Sequence, residues 1–279
     1  MARSRLRLHY QPAYRPGAIS RRGYAGGNPN EVHIASIAAI IFDLGGTLVD
    51  WPDWDTAWEE RWGSAFDFYR ERALGSAPER GKFVEAMHAA ELAHWRRVEE
   101  DCWSGPPASV IQDGFRRMGQ ESGEHGVLVA LDGYARAVSG WAQVYPDARS
   151  TLLALRERGL SLGLVSNTWW AASWHNADLA EHGLEDLIDV AVYTSDLPHS
   201  KPHASVFKHV TARLAVPPEQ CVMVGDRPVD DISGALRAGM TAVLKTNGHP
   251  RPIPDGVHPS ATIETLSELP AVLERLASH

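Results

Sequence analysis

The chain has 279 residues, of which 44% are hydrophobic and 22% charged, as in an ordinary globular protein rather than a disordered or fibrous one. The formal net charge of −8 argues against a nucleic-acid partner, because such binding depends on clustered Lys and Arg side chains. Two distant cysteines, Cys102 and Cys221, indicate neither a disulfide framework nor a zinc site, and no run reaches the roughly 18 apolar residues that span a bilayer. The expected compartment is therefore the reducing cytoplasm, without a membrane partner.

Residues 1–35 differ in composition from the rest of the chain. Six arginines precede the first acidic residue, Glu31, and Gly and Pro are frequent. Ser20-Arg21-Arg22 is similar to a twin-arginine signal, but no apolar segment follows it. The composition predicts an Arg-rich disordered extension or an over-long start, with a targeting segment as the alternative.

Residues 37–42 form a continuous apolar run, which predicts a strand buried on both faces. The run ends at Asp43, and the Gly45-Gly46 turn that follows presents the Asp43 carboxylate with little obstruction from the next residues. The two glycines let backbone N–H groups point at an anion, and Thr47 can add a hydroxyl donor. The segment predicts an anion site beside a carboxylate.

Residues 51–144 contain no convincing strand but several helical stretches, which predicts a helical domain inserted into the remaining fold. Trp54, Trp58 and Trp62 recur every four residues and are expected on one helix face. Such a stripe favours the core of a small helical bundle, and a substrate-facing aromatic wall is the alternative.

From residue 145 onward, apolar runs that end in polar residues alternate with helical patterns. The runs cover residues 160–165, 190–193 and 221–224, and the helical patterns cover residues 147–158, 203–214 and 231–238. This alternation predicts an α/β fold, a Rossmann-like parallel sheet flanked by helices, built from residues 36–50 and 145–279. Ligands of such sheets bind outside the carboxyl ends of the strands, so the polar residues at these ends should meet in one crevice.

Two short polar motifs lie in this part of the chain. Ser166 and Asn167 supply a hydroxyl and an amide that can hold a phosphoryl oxygen, although a Ser-Asn pair alone is usually a simple turn. Lys201, followed by Pro202, supplies a cation that can neutralise both a carboxylate nucleophile and a transferred phosphoryl group.

A third motif gathers carboxylates at one strand end, with Asp226 followed closely by Asp230 and Asp231. Packing carboxylates together costs free energy unless a cation compensates them, and oxygen ligands beside a phosphate are what Mg²⁺ prefers. The alternative is that these acids cap a helix that begins near Asp231.

The four motifs, taken together and in this order, resemble those of the haloacid dehalogenase-like superfamily. They are Asp43-Leu44-Gly45-Gly46-Thr47-Leu48, Ser166-Asn167, Lys201-Pro202 and Gly225-Asp226-Arg227-Pro228-Val229-Asp230-Asp231. The resemblance covers about residues 36–275 and implies a Mg²⁺-dependent hydrolase of small phosphate esters, with residues 51–144 as a C1-type cap. It also implies Asp43 as the nucleophile, Ser166 and Lys201 as phosphoryl binders, and Asp226 as a metal ligand. Asp231 is then a further acid near the metal.

Gly45 departs from the family pattern, because phosphatases of the superfamily carry a second Asp there as general acid and base. In the family this position also gives the metal a backbone carbonyl, which Gly45 retains. The resemblance therefore implies a metal site of Asp43, Gly45, Asp226 and Asp231 without the customary proton donor, whose help is typically worth about 10²–10⁴-fold in rate.

Three functions remain open at this point. The first is phosphomonoester hydrolysis through an aspartyl-phosphate on Asp43, for a substrate with a good leaving group or with a proton donor from the cap. The second is metal-independent 2-haloacid dehalogenation, because superfamily members that displace halide also lack the second Asp, although the acids around Asp226 then have little reason to gather. The third is phosphate-ester binding without turnover. The sequence favours the first and leaves the oligomeric state open.

Overall fold

The computed structural model describes residues 37–74, 76–246 and 251–278. The predicted Arg-rich extension, residues 1–35, lies outside these ranges. None of the helices in this part of the chain is both long and apolar enough to cross a membrane.

The strands form one large parallel sheet and one short antiparallel ribbon. In chain order they are β1 (Ala39–Phe42), β2 (Val49–Asp50), β3 (Gln143–Val144), β4 (Ser161–Ser166), β5 (Val190–Tyr193), β6 (Cys221–Gly225), β7 (Thr241–Lys245) and β8 (Ala261–Ile263). The large sheet has the order β5-β4-β1-β6-β7-β8 with every neighbouring pair parallel. The predicted Rossmann-like α/β fold is confirmed.

Strand β1 lies in the interior of the sheet because all of its side chains are buried. Ile40 and Phe42 pack into a cluster on one face of the sheet, whereas Ala39 and Ile41 pack into a cluster on the other. A strand that buries both faces needs apolar residues at every position, which explains the unbroken run in the sequence. Since β1 pairs with β4 and β6, its next residue, Asp43, emerges between the ends of its two neighbours.

The helices fall into two groups along the chain. In order they are α1 (Trp58–Arg72), α2 (Arg80–Asp101), α3 (Pro107–Arg117), α4 (Glu124–Val138), α5 (Ala148–Glu157), α6 (Ala172–Glu181), α7 (Ala204–Leu214), α8 (Gly234–Arg237) and α9 (Leu269–Ala277). Helices α1 to α4 lie between β2 and β3, which pair with Val49 opposite Val144. This ribbon carries the chain out to the helical insert and back to the sheet.

The three tryptophans predicted to share one helix face lie in different settings. Helix α1 begins at Trp58, so Trp54 lies in the preceding turn, and the prediction that Trp54 continues the helical stripe is wrong. The break lies between Trp54 and Trp58, at Ala57, whose φ of −91° and ψ of 18° are not those of an α-helix. Trp62 is fully buried in the core of the insert, where its Nε1 donates to Glu91 Oε2 at 3.0 Å.

The predicted helices after residue 145 agree with α5 and α7 to within one residue, but the predicted start at Asp231 is wrong. A π-helical segment (Pro228–Ser233) begins three residues earlier and continues into α8. Proline is favoured in a first turn, because its missing N–H would have no partner there. Gly239, with a φ of 83°, follows the end of α8, as its predicted C-cap role requires.

Candidate active site

The buried ammonium of Lys201 joins three elements at the centre of the site. Its Nζ donates to Asp43 Oδ1 at 2.6 Å, to Asp231 Oδ1 at 2.6 Å and to the Val165 carbonyl at 2.9 Å. The residue is only 1% exposed, so these three acceptors replace the water that an ammonium group otherwise binds. Burial alone lowers the pKa of Lys201, but the two carboxylates outweigh it and raise that pKa above its usual value. The ammonium group therefore keeps its charge.

The Ser166-Asn167 pair fixes the backbone of this lysine. Asn167 Nδ2 donates to the Lys201 carbonyl at 2.9 Å, and the Lys201 backbone N–H donates to Asn167 Oδ1 at 2.8 Å. One side-chain amide thus satisfies both backbone polar groups of Lys201. Ser166 is the last residue of β4 and lines the same cleft.

The second carboxylate on Lys201 depends on a glycine. A Cβ built on Gly225, at the end of β6, would lie 2.3 Å from Asp231 Cγ, so only glycine lets Asp231 approach. Asp231 Oδ2 also accepts from the backbone N–H of Arg227 at 3.0 Å, within the loop before the π-helical segment. Both oxygens of Asp231 are therefore engaged within the protein.

Burial raises the pKa of Asp43 to about 7, against the lowering effect of the Lys201 ammonium and with the help of the negative charges of Asp231 and Asp226. Burial and the charge of Asp231 likewise raise the pKa of Asp226. Both carboxyl groups hold a negative charge more readily when a further cation is present.

The carboxylates of Asp43, Asp226 and Asp231 are arranged as a metal site requires. One oxygen from each lies within 4.8 Å of the others, and all three residues are buried. The all-oxygen donor set fits Mg²⁺. Since Asp231 already accepts from Lys201 and Arg227, Asp43 and Asp226 are the carboxylates best placed to hold the ion.

A cleft of about 560 Å³ opens above these groups. The residues proposed from the sequence that line it are Asp43, Gly45, Gly46, Ser166, Asn167, Lys201 and Asp226. Asp231 lies below the lining and is fully buried. Thr47 is also fully buried outside the lining, and its Oγ1 has no hydrogen-bond partner within the described ranges. The structure therefore brings the four motifs together but keeps the Thr47 side chain out of the cleft.

One wall of the cleft entered the sequence analysis only through Trp54, as the alternative of a substrate-facing aromatic wall. Residues 50–56, between β2 and α1, all line it, together with Trp95, Trp170 and His175. The signal in the sequence was the density of Trp and Asp in residues 50–55, directly after the first motif. Two further cations, Arg227 and Arg251, line the cleft near the acidic motif.

The indole of Trp51 occupies the space beside Gly45. A Cβ built at residue 45 would lie 3.0 Å from Trp51 Cζ3, closer than the ~3.5–4.0 Å at which carbon atoms pack well. Edge-to-face contacts hold this indole against Trp170 and His175, with ring centroids 5.7 and 6.0 Å apart. A side chain at the position that carries a second Asp in phosphatases of the resembled superfamily therefore requires the Trp51 indole to shift.

Comparison with known proteins agrees with this geometry. The family profile of haloacid dehalogenase-like hydrolases matches residues 37–239. A glyceraldehyde 3-phosphate phosphatase of Methanopyrus kandleri is 33% identical over 244 residues, 86% of this chain and 99% of the relative. A phosphoglycolate phosphatase of Salmonella paratyphi A is 29% identical and covers 77% of this chain and 84% of its own length.

A solved structure shares the same fold. The crystal structure of a 2-haloacid dehalogenase from Pseudomonas syringae pv. Tomato DC3000 has a TM-score of 0.64 and 28% sequence identity. The alignment covers 86% of this chain and 99% of that one. The match of the family profile to most of the chain, together with a relative of 33% identity along its length, shows that the chain belongs to the haloacid dehalogenase-like hydrolases.

Proposed function

We propose that this hydrolase cleaves phosphomonoesters through an aspartyl-phosphate on Asp43 and depends on Mg²⁺. The observation that carries the proposal is Lys201 Nζ, 2.6 Å from both Asp43 and Asp231 at the floor of a cleft that Asp226 also lines. A nucleophile, a fixed cation and a second carboxylate around one point suit a transferred phosphoryl group. The names of two relatives, a glyceraldehyde 3-phosphate phosphatase and a phosphoglycolate phosphatase, support the same reaction class.

Each residue of the site has a separate role in the proposed reaction. An Asp43 oxygen attacks phosphorus, the P–O bond to the alcohol breaks, and water then hydrolyses the acyl phosphate to restore the Asp43 carboxylate. Lys201 offsets charge on the transferred phosphoryl oxygens, and the Ser166 hydroxyl donates to one of them. When held by Asp43 and Asp226 with the Gly45 carbonyl, Mg²⁺ supplies further neutralisation of that charge. Helices α1 to α4 act as the cap that bounds the cleft.

Gly45 determines which substrates turn over well. With no carboxyl group at residue 45, the departing oxygen leaves as an anion unless another group donates a proton. We therefore expect substrates with acidic leaving groups, such as aryl phosphates, to react faster than simple alkyl phosphates.

The test is phosphate release from a panel of phosphomonoesters, with Mg²⁺ and with a chelator. Wild type should release phosphate only with the metal, and Asp43→Asn should lose the activity. Asp178→Asn is the matched control, because Asp178 is a buried carboxyl group outside the cleft. Activity that survives Asp43→Asn overturns the nucleophile assignment. Tight binding of phosphate esters without release in wild type indicates a binding protein instead.

A second candidate, dehalogenation of 2-haloacids, is favoured by two observations. Gly45 lacks the carboxyl group that halide displacement does not need, and a similar solved structure is that of a 2-haloacid dehalogenase. Carbon–halogen displacement needs no metal, however, so it gives no role to the carboxylates of Asp226 and Asp231 beside Asp43. Halide release from a 2-haloacid in the presence of a chelator would favour this candidate over the phosphatase.

A further inference from the structure

The cleft is lined by two groups of charged side chains. The cleft-lining cations are Lys201, Arg227 and Arg251, and each lies within 4.0 Å of a carboxylate near the reacting Asp43. These three are all the Lys and Arg side chains that line the cleft in the described part of the chain.

Residues 50–56 contribute the second group of charged side chains to the lining. Asp50, Asp53 and Asp55 line the cleft and are exposed. In the described ranges, no Lys or Arg nitrogen lies within 4.0 Å of any of these three carboxylates. We call residues 50–56 the acidic segment. A cationic ligand group bound there is attracted, whereas an anionic one is repelled.

Indole rings also line the cleft. Trp51, Trp54, Trp95 and Trp170 line it, and the Trp170 ring meets Trp54 and Trp51 edge to face with centroids 5.3 and 5.7 Å apart. Indole faces attract cations electrostatically, and groups of aromatic rings are the usual recognition site for quaternary ammonium ligands.

Two further side chains contact these indole rings. The Arg61 guanidinium lies 3.5 Å from the centroid of the Trp54 ring, so that ring already binds a cation, and Glu91 balances the Arg61 charge at 3.9 Å. Burial lowers the pKa of His175 to about 3, so this cleft-lining ring adds no positive charge. His175 is 3% exposed and its Nδ1 has no hydrogen-bond partner among the residues described.

We propose that the leaving group of the substrate carries an ammonium charge, held against the acidic segment and the indole rings while the phosphate lies against Lys201. The proposal rests on the proposed phosphatase function for its reaction, but its binding preference is a separate claim. Carboxylated phosphate esters are disfavoured, because their second anion would meet Asp50, Asp53 and Asp55.

The ammonium group also bears on the missing proton donor. A positive charge a few bonds from the departing oxygen stabilises the alkoxide that leaves. A substrate of this class therefore offsets part of what Gly45 removes, which links the two unusual features of the cleft.

The test compares phosphocholine with 3,3-dimethylbutyl phosphate, which has the same shape without the charge, and with phosphoglycolate. Each is measured as a competitive inhibitor of 4-nitrophenyl phosphate hydrolysis by the full chain with Mg²⁺. We expect phosphocholine to bind about 10-fold more tightly than the neutral isostere, and phosphoglycolate to bind most weakly. Phosphoethanolamine distinguishes a primary from a quaternary ammonium preference within the same class.

Two variants connect the preference to the acidic segment. Asp53→Asn removes one charge, and asparagine tolerates the left-handed backbone at this position. Combined with Asp55→Asn, it should remove most of the preference for phosphocholine over the neutral isostere. Glu121→Gln is the matched control, because Glu121 is an exposed carboxylate without an ion pair in the described structure and lies outside the cleft.

The outcomes separate the two proposals. If 4-nitrophenyl phosphate is not hydrolysed, the proposed function fails, and calorimetry with the Mg²⁺-loaded protein ranks the same three ligands. Equal affinity for phosphocholine and its neutral isostere in either assay overturns the ammonium proposal, as does tightest binding of phosphoglycolate. A preference that persists unchanged in the double variant overturns the role of the acidic segment.

Discussion

Restoring an acid at residue 45 should fail unless Trp51 is made smaller at the same time. The first side-chain atom at residue 45 would lie 3.0 Å from Trp51 Cζ3, and a carboxyl group extends further. Trp170 and His175 hold the indole in place, so we expect Gly45→Asp alone to cost about 1–3 kcal/mol through overpacking and to gain no rate. Gly45→Asp with Trp51→Ala opens the space, and an added general acid is then worth up to about 10²–10⁴-fold, or roughly 3–5 kcal/mol.

The assay is the ratio of kcat/KM for an alkyl phosphate to that for 4-nitrophenyl phosphate. This ratio isolates leaving-group protonation, because damage to folding, to metal binding or to Lys201 affects both substrates. It should rise only in the double variant and stay low in Gly45→Asp, in Gly45→Ala and in Trp51→Ala. A rise in Gly45→Asp alone as large as in the double variant refutes the steric argument. An unchanged ratio in a folded double variant that binds Mg²⁺ refutes the claim that a carboxyl group at residue 45 suffices.

Three other predictions follow from the same contacts. Gly225→Ala should lower kcat roughly 10²-fold without unfolding the protein, because the new Cβ would displace the Asp231 carboxylate that holds Lys201. Steady-state kinetics measures kcat, and circular dichroism checks that the variant is folded. Full activity in the folded variant would contradict the prediction. Burial raises the pKa of Asp43 to about 7. In the presence of a chelator, the folded protein therefore binds more protons than the unfolded chain between about pH 4 and 7. The free energy of unfolding should then fall as the pH rises through that window. The thermal midpoint of Asp43→Asn minus that of wild type should therefore grow across this range, and a constant difference would count against a buried Asp43 charge. Trp169→Ala should lower the free energy of unfolding by about 3–5 kcal/mol in a urea titration, and Trp169→Phe by less, because the fully buried indole packs into the core of the helical insert.

The parallel sheet was predictable because burial on both faces leaves a strong mark in the sequence. Strands such as β1 and β6 must be apolar at every position, and the polar residue that follows each one then marks the functional edge. Lys201 is different, since nothing near it in the sequence indicates that its ammonium group lies between carboxylates 158 and 30 residues away. Only the combination of four motifs singled it out.

The wall of the cleft was not predictable from periodicity. The four-residue spacing of Trp54, Trp58 and Trp62 fits a helix, but the non-helical backbone at Ala57 ends that pattern before Trp54, which lines the cleft. One residue outside the helical region thus divides the apparent stripe into a core residue, Trp62, and a cleft-lining residue, Trp54. Local propensity does not reveal such a break, because alanine is the strongest helix former.

Gly45 departs from the family pattern, and the Trp51 indole occupies the space beside it. A side chain at residue 45 would have to displace this indole, which contacts Trp170 and His175, so an Asp there is disfavoured sterically before its chemistry matters. A smaller residue at 51 would instead leave a gap beside Gly45, without contacts to bind a leaving group. The pair replaces a proton donor with an aromatic surface. The cleft should therefore act on leaving groups that it can bind and that depart without a proton.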